Sequence, residues 1–217
     1  MHIEFLVEDS SGRRLLELLI PKIIGEQSAP HTWRLHDYKG VGEIPPKLTR
    51  KADPKKRILL DQLPRILRGN NKTSGIDATV VVLDSDRRDC KKFLAELLRL
   101  RDSCTSPRKT TLFRLAIEEM EAWYLGDPKA VLTAYPGADK AVLDRYKQDS
   151  VCGTWEVLAD AVHPGGAQAI KDAGWPLPGN LKHEFANKIG PHLDLKRNKS
   201  PSFHKLCDGL RRLVGSR

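Results

Sequence analysis

Three acidic residues in this 217-residue chain fall where carboxylates can hold a divalent cation: Glu8, Asp84 and Asp86. Glu8 closes the apolar run 3–7, Asp84 closes Thr-Val-Val-Val-Leu at 79–83, and Asp86 lies two residues on. An uninterrupted β-branched run reads as a strand buried on both faces. In open parallel sheets, ligands bind beyond the carboxyl ends of the strands. If the chain stays extended past residue 83, Asp84 and Asp86 share a face. Magnesium takes oxygen ligands and keeps waters and phosphate oxygens in its shell. The pattern therefore predicts Mg2+ (or Mn2+) held for phosphate chemistry. A later strand at 110–117 runs into Glu118-Glu119-Met120-Glu121. There Glu118 and Glu121, spaced i,i+3 on one helix face, would add a ligand or act as a general base. Any one of these acids is as readily a helix cap or a salt-bridge partner. What favours a site is that three strands all end in acid.

Cations accompany the acids. Arg87 and Arg88 could pair with a scissile phosphate or simply neutralise the carboxylates. Lys39 precedes Gly40 and Gly42, a turn that cradles phosphate in some proteins. It lacks the P-loop spacing and is equally an ordinary strand-to-loop turn. His36 reads either as a phosphate-orienting base or as a structural histidine. Lys182, Arg197 and Lys199, with Ser200 and Ser202, form a basic, hydroxyl-rich stretch suited to phosphate-backbone contact. One of those serines also reads as the N-cap of the last helix. The net charge of +9 is concentrated: residues 44–72 hold nine Lys/Arg against two Asp, and 182–217 nine against three acids. Such segments predict a nucleic-acid partner, although solvated helix faces carry the same residues.

The elements that must position these groups alternate. A strand at 3–7 leads into a leucine-rich helix that Pro21 kinks or shortens. A strand at 32–38, an amphipathic helix at 54–68, a loop at 70–75, the strand at 79–83, a helix near 90–101 and the strand at 110–117 follow. This order predicts βαβ units and an α/β fold with a mostly parallel sheet flanked by helices. Past Trp123, which reads as packing rather than base stacking, short helices are punctuated by Pro and Gly and end in a helix at 202–214. The expected organisation is 1–125 as the metal-binding domain and 126–217 as a helical C-terminal lobe packed on it.

Cys90, Cys104, Cys152 and Cys207 are scattered, with no CxxC pair, against both a zinc site and a disulfide framework. No signal-peptide pattern opens the chain, and no run approaches the roughly 18 apolar residues of a membrane span. A cytoplasmic protein without a membrane partner is expected. Gly-x-Ser-x-Gly is absent, so no serine triad is argued.

Glu after the first strand, Asp-x-Asp after a later one and an acidic helix after the next resemble the TOPRIM fold of topoisomerases, bacterial primases and overcoming-lysogenization-defect (OLD) nucleases. The whole chain resembles, more specifically, the bacterial TOPRIM-like family called domain of unknown function four-two-seven-six. The matching stretches are Phe5-Leu6-Val7-Glu8, Tyr38-Lys39-Gly40-Val41-Gly42-Glu43-Ile44-Pro45, Val82-Leu83-Asp84-Ser85-Asp86-Arg87-Arg88-Asp89-Cys90, the run 113–127 around Glu118-Glu119-Met120-Glu121-Ala122-Trp123, Asp149-Ser150-Val151-Cys152-Gly153-Thr154-Trp155-Glu156, and Asn198-Lys199-Ser200-Pro201-Ser202-Phe203. The resemblance implies magnesium or manganese at Glu8, Asp84 and Asp86, cleavage or joining of phosphodiester bonds, and an ABC-type ATPase as partner in a phage-defence module. Many TOPRIM proteins carry Gly directly after the first Glu; here Asp9 stands there, which departs from topoisomerase geometry and adds a carboxylate. None of Tyr38, Tyr124, Tyr135 and Tyr146 has the context of a topoisomerase tyrosine.

The expectation is a Mg2+-dependent nuclease acting on DNA or RNA. The alternatives are a non-catalytic TOPRIM-like adaptor that binds a partner ATPase or nucleic acid, and a transferase acting on a small phosphate. A homo-oligomer is compatible with each.

Overall fold

Four strands form one sheet in the spatial order β2-β1-β3-β4, every neighbouring pair parallel: β1 (His2–Val7), β2 (Thr32–Asp37), β3 (Ala78–Asp84) and β4 (Thr110–Ala116). The structure is a computed structural model and describes residues 1–28, 30–45, 53–104, 109–150, 152–174 and 176–215. The chain leaves β1 for β2, then crosses back over β1 to reach β3 and β4. The order therefore reverses between β1 and β3, and at such a switch point a crevice opens at the carboxyl ends of the strands. Glu8 and Asp84 stand at those two ends.

Side chains of the two central strands alternate between two cores, as a period of two demands. Ile3, Phe5, Val7, Val80 and Val82 enter one core with α1 (Ser10–Ile24). Leu6, Val81 and Leu83 enter the other with α2 (Leu59–Lys72) and α3 (Cys90–Ser103). Asp84 continues the parity of Val80 and Val82. Its side chain is thus directed to the α1 face, which is also where the C-terminal helices pack.

Those helices are α4 (Glu121–Leu125), α5 (Pro128–Ala134), α6 (Lys140–Arg145), α7 (Thr154–Val162), α8 (Gly166–Ala173), α9 (Leu177–Ile189) and α10 (Pro201–Val214). Trp123, Phe185 and Phe203 are buried in the same cluster as Phe5 and the α1 leucines. The segment 126–217 therefore shares a continuous core with the sheet through α1, which α9 and α10 both contact.

Several boundaries differ from the sequence expectation. The helix expected at 54–68 opens instead with a single 3-10 turn, Pro54–Lys56, and breaks at Arg57 (φ 51°) before α2 begins. The cause is the loop after β2: Gly40 O and Val41 O accept from the Leu59 and Leu60 amides (3.1 and 2.9 Å), which registers the helix there. The loop expected at 70–75 is helical through Lys72, because the Asn70 side chain donates to Thr79 Oγ1 and Asn71 Oδ1 accepts from the Lys109 amide. Pro21 lies inside α1, which ends three residues later when the Gly25 amide bonds Pro21 O. Residues 46–52 of the basic segment 44–72, and Val151 of the quoted motifs, lie outside the described residues.

Candidate functional site

Two loops at the carboxyl edge build the site. The β3–α3 loop is stitched to the β4–α4 loop by Ser85, which is fully buried: its amide donates to Ala116 O (3.0 Å) and its Oγ accepts from the Glu118 amide (2.8 Å). The Asp86 amide donates to Glu118 O (2.9 Å). Asp89 N-caps α3 through the Lys91 and Lys92 amides (both 2.9 Å). On the other side, Asp9 caps α1 by accepting from the Gly12 amide (2.7 Å) and Ser11 Oγ. Gly12 is required there: a Cβ would come within 2.9 Å of Met120 Sδ and Val7 Cγ2. This close approach brings β1 and the β4–α4 loop together.

The acids divide into different environments. Burial, followed by the charges of Asp86 and Asp9, pushes Glu8 up to about 7. Burial, followed by Glu8 and Glu121, raises Asp84 well above the carboxylate range. Burial pushes Glu121 up to about 7 even with Lys182 nearby. Glu8 Oε2 and Asp84 Oδ1 are buried and have no hydrogen-bond partner. Buried polar atoms are ordinarily satisfied, so two unsatisfied carboxylate oxygens in one acid-rich place mark a site that awaits positive charge.

Lys182 supplies part of that charge. It reaches in from α9, donates to Glu119 Oε1 at 2.6 Å and stands 3.9 Å from Glu121 Oε2. Burial opposes its ammonium charge, but Glu121, Glu119 and Asp84 outweigh the penalty and hold it above the usual lysine range. Expected as a phosphate-backbone contact, Lys182 is the internal counter-ion of the acidic cluster.

The remaining expected site residues are distributed as follows. Asp86 is exposed, adopts a left-handed backbone (φ 47°) and pairs with Arg88 (3.1 Å). The backbone is therefore not extended past Asp84, and the shared face expected for Asp84 and Asp86 does not form. Glu118 and Glu121 share no helix either: α4 begins at Glu121, and Glu118 precedes it with φ 60°. The Glu118 carboxylate accepts from the Gly153 amide (2.5 Å), the Thr154 amide (2.7 Å) and Thr154 Oγ1 (2.5 Å), so it caps α7 from a distance. Arg197 clamps the fully buried Asp127 with two bonds (2.7 and 2.8 Å), which occupies the guanidinium expected to meet phosphate. The Lys39 and Gly40 amides donate to Arg57 O and Glu8 O (2.8 and 3.1 Å), so this turn presents neither amide to a phosphate, while the Lys39 side chain is exposed. Lys199 is exposed next to Ser200, which caps α10. His36 Nε2 bonds Glu4 Oε2 at 2.5 Å and reads as structural.

Asp86, Arg87, Arg88, Glu118 and Glu119 line a cleft of about 470 Å3, linked to this cluster by the Glu119–Lys182 bond and by the charge of Asp86 on Glu8. Glu119 is the residue that composition and spacing left without a role. It follows directly after the strand-end motif, lies between the cleft and Lys182, and its pKa is raised, burial outweighing the lysine. Lys182 had no local signal: 98 positions separate it from Asp84, and only the packing of α9 on α1 brings it in.

Among the described residues, no three His, Cys, Asp or Glu side chains converge as a ready metal cage. The donor set nevertheless fits a magnesium-type ion. Its two unpartnered atoms, on Glu8 and Asp84, are hard oxygens, and magnesium is commonly bound by one or two carboxylates with waters and substrate phosphates completing the shell.

The chain belongs to the family described as Domain of unknown function (DUF4276), whose model matches residues 7–211. No curated protein and no solved structure matches it.

Proposed function

We propose that this chain is a TOPRIM-like, Mg2+-dependent nuclease that hydrolyses phosphodiester bonds in DNA or RNA, and that it acts with an ABC-type ATPase in a bacterial phage-defence module. One observation carries the nuclease reading: two unpartnered carboxylate oxygens, on Glu8 and Asp84, at the switch point of a parallel sheet, with Arg87 and Arg88 following on the same loop in the lining of a cleft. The ATPase partner and the defence role rest on the family resemblance alone.

In this reading Glu8 and Asp84 hold Mg2+ (or Mn2+), and Asp86 contributes from the rim. The bound ion supplies positive charge against the phosphoryl oxygens. Arg87 and Arg88 seat the phosphate by charge-assisted hydrogen bonds. A water oxygen attacks phosphorus and the P–O bond to the leaving oxygen breaks. Glu119, in the cleft wall, takes the water proton on its carboxylate. Lys182 keeps Glu119 and Glu121 from repelling the incoming phosphate, and solvent returns a proton to the leaving oxygen. Glu118 holds α7 rather than taking part. The test is Asp84→Asn: Mg2+-dependent cleavage of DNA and RNA should disappear while the far-ultraviolet circular dichroism is unchanged. Cleavage that persists would remove the metal assignment.

A second reading is favoured by Lys182 itself. An ammonium already seated among the acids gives the cluster a purely structural balance, as a non-catalytic adaptor would have. Absence of turnover with either metal, in a protein that binds its partner, would favour it.

A further inference from the structure

A second concavity lies on the same side of the chain's β3–α3 and β4–α4 loops, with lining residues adjacent in sequence to those of the cleft. Cys90 and Lys91, just beyond the Asp86–Arg88 loop, and Ile117, just before Glu118, open a groove of about 340 Å3 between α3, the outer edge of β4 and α10. Its floor is apolar, with Leu94, Phe113 and Leu115. Its cations are Lys91, Arg114, Lys205 and Arg212, and no carboxylate lines it. Lys91, Lys205 and Arg212 are exposed.

β4 is an edge strand, and an open edge ordinarily invites another strand. Here that use is hindered. Ala116 O faces β3, where it accepts from the Ser85 amide, so by alternation Phe113 and Leu115 turn their backbone groups outward. The outward Phe113 carbonyl is covered by Arg114, whose Nη1 donates to it at 2.7 Å. The Arg114 guanidinium is fixed by α10: a Cβ on Gly209 would lie 2.0 Å from its Nη2. Its Nε is buried and without a partner. One outward acceptor of the edge is thus already taken, and the edge is cationic there.

We propose that this groove carries a single strand of nucleic acid leading to or from the phosphodiester held in the acidic cleft. Phosphates would lie on Lys91, Lys205 and Arg212, and bases over Leu94 and Leu115. The choice of nucleic acid rests on the nuclease reading of the cleft, whose lining residues Arg88 and Glu118 stand next to the groove's Cys90 and Ile117 along the chain. Apolar floors with cationic rims suit single strands, whose bases are free to leave water.

The test is binding of a fluorescently labelled single-stranded oligonucleotide to the full chain carrying Asp84→Asn, without divalent metal, followed by anisotropy over a series of salt concentrations. Adding Lys205→Ala and Arg212→Ala should weaken binding on the order of tenfold and reduce the slope of log K against log salt by about 1.4, at about 0.7 for each phosphate no longer neutralised. Adding Lys91→Ala and Arg212→Ala instead should do the same. Lys129→Ala, on α5, should leave both quantities alone, and a blunt duplex should bind more weakly than the single strand. Unchanged affinity and slope in both double variants would overturn the proposal. So would a poly-glutamate peptide whose binding needs these cations while oligonucleotide binding does not. If the oligonucleotide behaves as expected in a protein that cuts nothing, the groove stands and the nuclease reading falls.

Discussion

Asp127 and Asp84 both hold carboxylate oxygens away from water, and the molecule treats them in opposite ways. Asp127, among the C-terminal helices, is fully surrounded by donors: the Ala130 and Asp194 amides and both nitrogens of the Arg197 clamp. Asp149 accepts from Ser200 Oγ (2.8 Å) and the Ser202 amide (2.7 Å), and Glu118 takes three donors at the start of α7. At the carboxyl ends of β1 and β3, Asp84 and Glu8 each keep an oxygen with no donor, and burial with the charges of neighbouring acids raises both pKa values. Matched carboxylates stabilise a fold. Unmatched ones cost stability, and such a cost is typical of a place where a ligand binds.

The sharpest way to break this contrast is to exchange the consequences of losing a charge. Asp84→Asn should reduce Mg2+-dependent cleavage on the order of a thousandfold and leave the urea midpoint equal or higher, because a buried repulsion is relieved. Asp127→Ala should do the reverse. It removes the two shortest bonds of the Arg197 guanidinium and the acceptor of the Asp194 amide and should cost about 2–4 kcal/mol in urea unfolding, while cleavage per folded molecule is retained. A cleavage loss from Asp127→Ala that exceeds its loss of folded protein would undo the distinction. Glu118→Gln should cost less, about 1 kcal/mol, because the amide oxygen still accepts from α7. Full loss of cleavage in a folded Glu118→Gln protein would return Glu118 to the chemistry.

A further effect is in pH. Glu8 and Glu121 have folded pKa values raised to about 7, above their ordinary 4.5. The folded state therefore binds protons more tightly than the unfolded chain across that interval, and this contribution to stability is full below about 4.5 and lost as pH rises through about 7. Without divalent metal, the melting temperature should fall between pH 5 and pH 8. Glu8→Gln should flatten that fall, and Mg2+ should offset it at the alkaline end. A melting temperature that rises over this range would contradict the unsatisfied cluster.

Much of this was legible from residue order. The strand at 79–83 and the acids after β1 and β3 are local features, because a parallel strand announces both its burial and its carboxyl end. Glu118 was misplaced on the face of Glu121 because i,i+3 spacing predicts a shared face only when both residues are helical, and the left-handed turn at Glu118 precedes α4. Arg197 and Lys182 read alike as basic surface. Their different fates are set by partners 70 and 61 positions away, Asp127 for one and Glu121 for the other. Residue type shows where a charge is; only packing shows whether that charge is already matched.

The most direct test of a cation between Glu8 and Asp84 is Mn2+ binding followed by electron paramagnetic resonance on wild type, Asp84→Asn and Glu118→Gln. Saturable binding in wild type and Glu118→Gln, lost in Asp84→Asn, is the expected result. Equal binding in Asp84→Asn, or none in wild type, would contradict the assignment.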